Sequence, residues 1–424
     1  MKVILIDTPA KELWEDRLEP NLGLLYLATF LSQHNFEVKI IDLRGKSQNK
    51  WENLIDFDGN IYGFSTFTPT YNTTLKILYL IKEKNPRAIF VAGGPHATAL
   101  PQEVIKDFDY VIKGAGEVSL LELVRKISSG NIEKKKILEE KPIADINSLP
   151  FPDFSLCDLN SYKRHINGEK CLPIISSRGC PYNCIFCNSI IMGPNNKITM
   201  RSPENIVKEI ELIKERYNVK SFRFNDDLFI LNPKRVKILN KKLAPLSVIY
   251  RCFGRVDLCT KSVAEALVHG GCVHISFGIE SGSQKILNIL NKQLKVGIIR
   301  KNISIAKKSG LTTRIYLIIG TPGETWDTIQ ETVDLVLKCR PDEFEVYNLI
   351  PYPGTTIFNN LAKYGITYLD KNWDKYWQTI GNKESGYVFR TDKLNEEIIS
   401  QMRSYVINKL SPLIKWAGES KHFK

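Results

Sequence analysis

Three cysteines within eight residues are the feature of this sequence with the clearest chemistry. They lie in the segment Gly179-Cys180-Pro181-Tyr182-Asn183-Cys184-Ile185-Phe186-Cys187, so their spacing is C-x3-C-x2-C. Three thiolates are one too few for a closed four-iron cluster, and they would leave one iron open for chemistry. A structural zinc site would need a fourth ligand at finger-like spacing, whereas the one H-x4-H pair, His269 and His274, lies far downstream.

The cysteine segment resembles the cluster motif of the radical S-adenosylmethionine (SAM) enzymes, in which an aromatic residue, here Phe186, precedes the last cysteine. The resemblance implies that Cys180, Cys184 and Cys187 bind a [4Fe-4S] cluster whose open iron is chelated by the amino and carboxylate groups of SAM. It further implies that one electron splits SAM into methionine and a 5'-deoxyadenosyl radical. An external electron donor such as a flavodoxin or ferredoxin is then required.

Length and composition predict a large globular enzyme. The chain has 424 residues, of which 43% are hydrophobic and 25% charged, which is enough for two domains with cores of their own. No segment has the length and apolarity of a membrane span or a signal peptide, and the remaining six cysteines follow no pairing pattern. We therefore expect a cytoplasmic protein with reduced thiols.

The net charge of +13 does not by itself predict a nucleic-acid partner. Most of the excess is lysine spread along the chain, and the densest run, Lys134 to Lys136, is flanked by Glu133 on one side and by Glu139 and Glu140 on the other. Such a run is typical of a solvated linker. We expect a small-molecule substrate and no nucleic acid.

The first 130 residues alternate short apolar runs with helical stretches. The runs, at 3–6, 38–41, 61–65, 88–92 and 110–112, have the composition and length of buried strands. Strands spaced in this way need helical crossovers, so they predict a doubly wound parallel sheet. Sheets of this kind bind ligands at the carboxyl ends of their strands.

Four loops follow those strand ends, at 7–9, 65–68, 93–96 and 114–117. The last two contain glycines and the second is rich in Ser and Thr, which allows a large flat or phosphorylated ligand to approach the backbone closely, although each loop alone is equally an ordinary turn. Neither glycine pair fits the G-x-G-x-x-G spacing of a dinucleotide site. The candidate ligand-binding residues are Ser65, Thr66, Thr68, Gly93, Gly94, Gly114, Gly116 and Glu117.

Taken together with the helix opening at 20–28, these loops resemble the cobalamin-binding domain that precedes many radical SAM modules. The resemblance covers residues 1–130 and implies that cobalamin binds at the four loops, although the fourth has Ala115 where the family usually has Glu. The Asp-x-His-x-x-Gly signature that supplies a histidine to cobalt is absent from the loop after the first strand. His96 is expected to be an exposed turn histidine, so we predict cobalamin without a histidine ligand from the protein.

A second α/β unit follows a connector at 131–170, whose Pro-Phe-Pro-Asp segment fixes an extended path. Six further strands are predicted at 173–176, 221–225, 249–253, 273–279, 314–319 and 344–349. Ser202 and Pro203 predict the start of a helix between the first two of them. Residues 171–360 therefore resemble the partial (β/α)6 barrel of radical SAM enzymes, with the cysteine loop at a strand's carboxyl end.

Several strand ends in this barrel carry candidate SAM contacts. Asp226 and Asp227 follow a buried strand, where two acids can bind an ammonium group or can be a helix cap beside a solvated acid. The resemblance places them near the SAM amino group. It implies polar contacts from Arg255 and Glu280, which could equally be a satisfied charge or a turn residue. It also implies an adenine site flanked by Ile318 and Gly320; Glu324 is expected to be a helix-start acid.

Residues 361–424 form a C-terminal extension that is predicted to lie on the substrate side of the barrel. Tyr368, Trp373, Tyr376 and Trp377 form an aromatic cluster in it, and such clusters are more often core packing than a substrate platform. The substrate cannot be identified from these residues.

The resemblance as a whole implies a cobalamin-dependent radical SAM enzyme that methylates an unactivated carbon of a small molecule or natural product, through methylcobalamin and a 5'-deoxyadenosyl radical. A cyclase, oxidase or mutase on the same scaffold is an alternative. A methylthiotransferase is disfavoured because that class has three cysteines in its N-terminal domain, and this chain has none there. A basic nucleic-acid-binding cofactor protein is the non-enzyme alternative.

Overall fold

A computed structural model of the chain describes residues 1–10, 15–131, 136–141, 143–192, 198–377 and 386–417. Residues 134 and 135 of the basic run lie outside these ranges. Two predominantly parallel sheets follow one another along the chain, one of six strands and one of eight.

The first sheet is doubly wound. Its strands are β1 Lys2–Asp7, β2 Glu37–Asp42, β3 Ile61–Ser65, β4 Ile89–Gly93, β5 Tyr110–Ile112 and β6 Lys136–Leu138. The helices between them are α1 Leu22–Gln33, α2 Trp51–Leu54, α3 Tyr71–Lys84, α4 Pro95–Ala99, α5 Pro101–Val104 and α6 Glu117–Ser128. All neighbours are parallel in the order β2-β1-β3-β4-β5-β6, so the direction of winding reverses between β1 and β3, where such sheets bind ligands.

Both faces of this sheet are covered because its strands are apolar at consecutive positions. On β1, Val3 and Leu5 pack with residues of α1 and α6, and Ile4 and Ile6 pack with residues of α3. Successive strand side chains point to opposite faces, so an uninterrupted apolar run buries both. The five predicted strands are confirmed to within one residue at each end. Strand β6 was not predicted, and it pairs with β5 from within the predicted connector.

The second sheet is the curled half-barrel. Seven of its eight strands are β7 His165–Ile166, β8 Glu169–Ile174, β11 Ser221–Phe224, β12 Ile249–Gly254, β13 Cys272–Glu280, β14 Thr312–Ile319 and β15 Glu343–Asn348. A separate antiparallel pair consists of β9 Ser177–Arg178 and β10 Thr199–Met200. The helices are α7 Ser189–Met192, α8 Pro203–Tyr217, α9 Pro233–Leu243, α10 Lys261–His269, α11 Gln284–Ile289, α12 Val296–Lys308 and α13 Trp326–Cys339.

Six parallel strands of this sheet lie in chain order, from β8 through β11, β12, β13 and β14 to β15, which confirms the predicted partial barrel. The predicted helix start is confirmed as well, because Ser202 accepts a hydrogen bond from the Asn205 amide at the beginning of α8. The first barrel strand was predicted at 173–176, too far along the chain, since it begins at Glu169 and ends at Ile174. Two short strands, β9 and β10, then hold the segment that leads into the cysteines.

The C-terminal extension packs on both domains. It contains the antiparallel pair β16 Ile366–Leu369 and β17 Phe389–Thr391, helix α14 Glu396–Leu410, and β18 Lys415–Trp416, which pairs with β15. Trp373, Tyr376 and Trp377 are buried, as predicted for core packing, whereas Tyr368 is exposed. The Trp373 indole N–H donates to Glu103 of the first domain. The predicted domain boundaries, and the substrate-side role of the extension, stay predictions.

No helix in the described part of the chain is long and apolar enough to cross a membrane. The cytoplasmic location stays a prediction from the sequence.

Candidate functional site

An apolar cleft of about 380 Å³ lies between the carboxyl edge of the first sheet and the mouth of the barrel. The loops after β3, β4 and β5 line one side of it, together with α1 and the start of α6. The segment after β8 and the end of β11 line the other, through Ile175, Ser177, Arg178, Gly179, Asn225 and Asp227. The two sequence-predicted regions, the strand-end loops and the approach to the cysteines, therefore share one cavity.

Most of the residues predicted to bind a ligand in the first domain line this cleft. They are Ser65, Gly93, Gly94, Gly114, Gly116 and Glu117. The side chains of Thr66 and Thr68 instead contact a neighbouring loop of the same domain. The Thr66 hydroxyl donates to the Gly93 carbonyl at 2.8 Å, and the Thr68 hydroxyl lies 3.1 Å from the His96 ring. Their predicted contacts with a ligand stay predictions.

Two glycines leave room in the cleft that a side chain would fill. A methyl group added at Gly93 would meet no surrounding atom closer than 3.8 Å, and one added at Gly116 would meet the Leu27 side chain at 3.4 Å. Because both residues line the cleft, larger side chains at these positions would project into it. The loops are thus shaped for close approach of a ligand to the backbone.

The cleft continues as an apolar slot between the first sheet and helices α1 and α6. Its walls are Leu5, Leu24, Leu27, Gly63, Val91, Ile112 and Leu120. A side chain at Gly63 would collide with Leu5, since an added methyl group would lie 2.7 Å from its Cδ2. This slot cannot be recognised from the sequence, because each of these residues, taken singly, is typical of core packing. A glycine within a buried strand is the one signal that marks a close approach.

His96 does not occupy the exposed position that was expected for it, and that prediction is wrong. Its side chain is fully buried, with the ring centroid 4.2 Å from that of Tyr71 and 5.4 Å from that of Trp373. Burial lowers the pKa of His96 to about 4, so the ring is neutral near neutral pH. The reason is the C-terminal extension, which covers this loop and could not be placed from the sequence.

The cysteine loop is anchored by backbone hydrogen bonds to two other segments of the barrel. The Ile185 amide donates to the Leu290 carbonyl at 3.1 Å, and the Ile357 amide donates to the Ile185 carbonyl at 3.0 Å. The Asn291 side chain also donates to the Asn183 carbonyl at 2.8 Å. These contacts place the loop against the segment after α11 and the segment after β15.

Burial raises the pKa of the Cys184 thiol to about 11, and it raises the pKa of Cys180 as well. The thiolates that ligate metal are therefore disfavoured unless nearby positive charge stabilises them. Among the described residues, no three His, Cys, Asp or Glu side chains converge on one point as the ligands of a single ion would.

A buried lysine supplies positive charge beside the cysteine loop. The Lys292 ammonium lies 2.7 Å from the Glu280 carboxylate and 5.9 Å from the centroid of the Phe186 ring. Its positive charge partly opposes the effect of burial on the pKa of Cys184. Glu280 has a φ of 62°, a left-handed conformation that is rare for this residue type. The role of Lys292 could not be predicted from the sequence, because a single lysine in a loop carries no motif.

Arg255 lies on the same side of the cysteine loop. Its guanidinium group is 3.7 Å from the centroid of the Tyr182 ring and donates to the carbonyl oxygens of Lys292 and Gln293, at 2.8 and 3.1 Å. It also forms an ion pair with Asp257. Arg255 thus connects the cysteine loop to the segment that carries Lys292, and its predicted contact with SAM stays a prediction.

The two acids after β11 have different surroundings. Asp226 is buried and accepts hydrogen bonds from the Ser176 amide and from the hydroxyls of Ser176 and Ser177, at 2.5–2.7 Å. Burial raises the pKa of Asp226. Asp227 lines the cleft and accepts from the Gly179 amide at 3.2 Å and the Ser189 hydroxyl at 2.8 Å. Of the pair, Asp227 is therefore the one that faces the cavity beside the cysteine loop.

The end of β14 is closed by Glu324. Its carboxyl accepts from the amides of Gly320 and Thr321, at 2.5 and 3.2 Å, and burial raises the pKa of Glu324 to about 8. The expectation of a helix-start acid is wrong, because α13 begins two residues later with Thr325 as its cap. Ile318 is buried, and Gly320 adopts a φ of 91° beneath Ile399 of α14. Their predicted contacts with adenine stay predictions.

Among the described residues, two ion pairs between the first domain and the barrel stand out, and the first of them lines the cleft. Glu117 at the start of α6 lies 2.7 Å from Arg178, which directly precedes the cysteine loop. Glu19, ahead of α1, lies 2.5 Å from Arg223 on β11 and accepts from the Asn225 side chain at 2.8 Å. Each pair consists of an acid from the first domain and an arginine from the barrel.

Two family models match the chain in the regions just described. The radical SAM superfamily model matches residues 174–336, and the B12 binding domain model matches residues 17–124. The first covers the barrel from the end of β8 into α13, and the second covers the first domain from just before α1 into α6.

Individual relatives match over most of the length. An uncharacterized methyltransferase from Pyrococcus horikoshii is 30% identical, with 89% of this chain and 86% of the relative covered. An anaerobic magnesium-protoporphyrin IX monomethyl ester cyclase from Rubrivivax gelatinosus is 25% identical, with 81% and 66% covered. The methyltransferase TsrM from Kitasatospora setae, solved with cobalamin and a [4Fe-4S] cluster, superposes with a TM-score of 0.69 at 17% identity, over 85% of this chain and 78% of that one. The last likeness shows a shared fold.

Proposed function

We propose that the chain, which belongs to the radical SAM enzymes that carry an N-terminal B12-binding domain, is a methyltransferase that acts on an unactivated carbon of a small molecule. The observation that carries the proposal is the shared cleft. The glycine loops of the first domain and the approach to the cysteine loop line the same cavity. A methyl donor held by the first domain would therefore face a substrate at the barrel mouth.

The residues present fit the three cofactors of this family: a [4Fe-4S] cluster, SAM and cobalamin. Cys180, Cys184 and Cys187 lie on one anchored loop beside the cations Lys292 and Arg255, which favour negative charge there. The space left beside Gly93 and Gly116, together with the apolar slot, fits a large flat ligand with an apolar tail. When bound, the cluster supplies the electron that cleaves SAM, and cobalamin carries the methyl group to the substrate carbon.

The protein's own contribution is to bind, orient and exclude water. The slot walls are aliphatic, so a ligand tail that fills them is shielded from solvent. At the other side of the cleft, Asp227 faces the cavity next to Gly179 and fits an ammonium group such as that of SAM. We assign the SAM contact to Asp227 ahead of Asp226, since both oxygens of Asp226 are already hydrogen bonded to Ser176 and Ser177.

A ring-forming reaction on the same scaffold is the second candidate function. It is favoured by the relative from Rubrivivax gelatinosus, which is named as a cyclase. Both reactions use the same cysteine loop and cleft, so they differ in what happens to the methyl group of SAM. The electron donor that we propose, a flavodoxin or ferredoxin, serves either reaction.

Anaerobic purification with iron and corrinoid analysis tests the proposal. We expect about four irons per chain and tight retention of about one corrinoid. Iron without any corrinoid, after reconstitution with hydroxocobalamin, would remove the methyl-carrier role and favour a radical reaction that does not use cobalamin. A protein that retains no iron and no corrinoid would contradict the whole proposal.

A further inference from the structure

The Glu117–Arg178 ion pair connects the two halves of the cleft directly. Glu117 ends the fourth strand-end loop of the first domain and begins α6, and its Oε1 lies 2.7 Å from Nη2 of Arg178. Arg178 is followed at once by Gly179 and Cys180. Both members of the pair line the cleft. One contact therefore spans the distance between the loop that would hold cobalamin and the loop that would hold the cluster.

The first-domain side of the pair is well fixed. Glu117 is buried, and its carboxylate lies at the amino end of α6, where the helix dipole favours negative charge. The Arg178 guanidinium also lies 5.3 Å from the centroid of the Tyr26 ring on α1. Arg178 thus contacts both helices that form the apolar slot.

The barrel side is equally fixed, because Arg178 lies in β9. Its neighbour Ser177 pairs with Met200 of β10 and donates a hydrogen bond to the buried Asp226. The Gly179 amide donates to Asp227. With both flanking residues held, Arg178 cannot shift without moving the start of the cysteine loop.

We propose that Arg178 is a positioning residue for cobalamin: through Glu117 it holds the fourth loop and α6 at a set distance from the cysteine loop. The inference rests on the proposed function, since it presumes that cobalamin binds at these loops. Glu117 is buried, whereas 27% of the Arg178 side chain is exposed, so removing Arg178 leaves the Glu117 charge buried and uncompensated. A barrel residue thereby controls the geometry of the cobalamin site in the other domain.

The test is a double-mutant cycle on the full-length protein, with the dissociation constant of hydroxocobalamin measured by equilibrium dialysis. We expect Glu117→Gln and Arg178→Gln each to weaken binding by about tenfold or more. The double variant should bind no more weakly than either single variant, since its two changes remove the same contact. Arg178→Lys, which keeps the charge, should weaken hydroxocobalamin binding by an intermediate factor. It replaces Arg178→Gln in the test if that variant does not fold.

The matched control is Lys242→Gln, which breaks the ion pair between Lys242 of α9 and Glu204 of α8, two residues that do not line the cleft. Its dissociation constant should stay within about twofold of the wild-type value. Losses that multiply in the double variant, an equal loss in the control, or wild-type affinity in Arg178→Gln or Arg178→Lys would overturn the inference. A wild-type protein that binds no corrinoid would overturn the proposed function, and this inference with it.

Discussion

The Lys292 ammonium lies 2.7 Å from the Glu280 carboxylate, and both side chains are buried beside the cysteine loop. Breaking a buried ion pair by removing one partner costs about 3–5 kcal/mol, because the other charge is left unpaired. Glu280 holds its side chain in place from a left-handed backbone conformation at the end of β13. The pair fixes a positive charge next to Phe186 and Cys184.

The first prediction follows from this pair. Lys292→Met should lower the rate of SAM cleavage by about tenfold or more, because the Glu280 charge loses its partner and the thiolates lose a nearby cation. The measurement is 5'-deoxyadenosine formation under a low-potential reductant, together with electron paramagnetic resonance spectra of the reduced cluster with and without SAM. Lys285→Met, an exposed lysine on the adjacent helix α11, is the control and should behave as the wild type. Unchanged cleavage and spectra in Lys292→Met would contradict a role for the pair.

The second prediction concerns the cysteines. Replacing Cys180, Cys184 and Cys187 together by Ala should abolish the brown colour of the reconstituted protein, its iron content and SAM cleavage, because the cluster would lose its ligands. Cys157→Ala removes a half-buried thiol from another part of the chain and should retain all three. If the triple variant still cleaves SAM, the assignment of the cluster to this loop is wrong.

The third prediction concerns the glycine openings. Gly93→Leu and Gly116→Leu should each weaken hydroxocobalamin binding by about tenfold or more, because the added side chain would occupy space in the cleft. Absorption titration of the full-length protein measures this. Gly297→Leu places the same side chain in open space on α12 and should leave binding unchanged. Equal affinity in all three variants would mean that cobalamin binds elsewhere.

The fourth prediction concerns pH and Glu324. Burial raises the pKa of this carboxyl to about 8, so between about pH 4.5 and pH 8 the folded protein binds a proton that the unfolded chain does not. Stability from this group is therefore present at low pH and is lost as the pH rises through 8. Glu324→Gln mimics the protonated acid at every pH.

The Tm of apo Glu324→Gln relative to apo wild type should accordingly rise by a few degrees between about pH 5 and pH 9. Differential scanning calorimetry at a series of pH values measures the difference. A difference that is constant across this range would show that Glu324 titrates normally.

The architecture was largely predictable because buried parallel strands leave a local signal. Runs such as Ile61 to Ser65 are apolar at consecutive positions, and the cysteine motif carries its own spacing. The first barrel strand was misplaced because Pro173 looked like its beginning, whereas it lies near the end of a strand that starts at Glu169. Strand β6 was missed because it is short and follows a charged stretch.

Contacts between distant segments could not be predicted. His96 is buried by Trp373, which lies far along the chain, and Arg178 is paired with an acid from the other domain. Lys292 contacts Glu280 only because a turn after α11 brings the two together. In each case the sequence shows the residue type, and its environment depends on tertiary packing.

Methyl transfer to carbon can be followed with SAM that is isotopically labelled in its methyl group. Because one SAM donates the methyl group and another is cleaved for each turnover, we predict S-adenosylhomocysteine and 5'-deoxyadenosine in about equal amounts, with the label in the organic product. Extracts of the source cell serve as the substrate pool until a substrate is identified. A turnover that yields abundant 5'-deoxyadenosine, an unlabelled product and no S-adenosylhomocysteine would contradict the methyltransferase assignment and favour a cyclase or another radical reaction on the same scaffold.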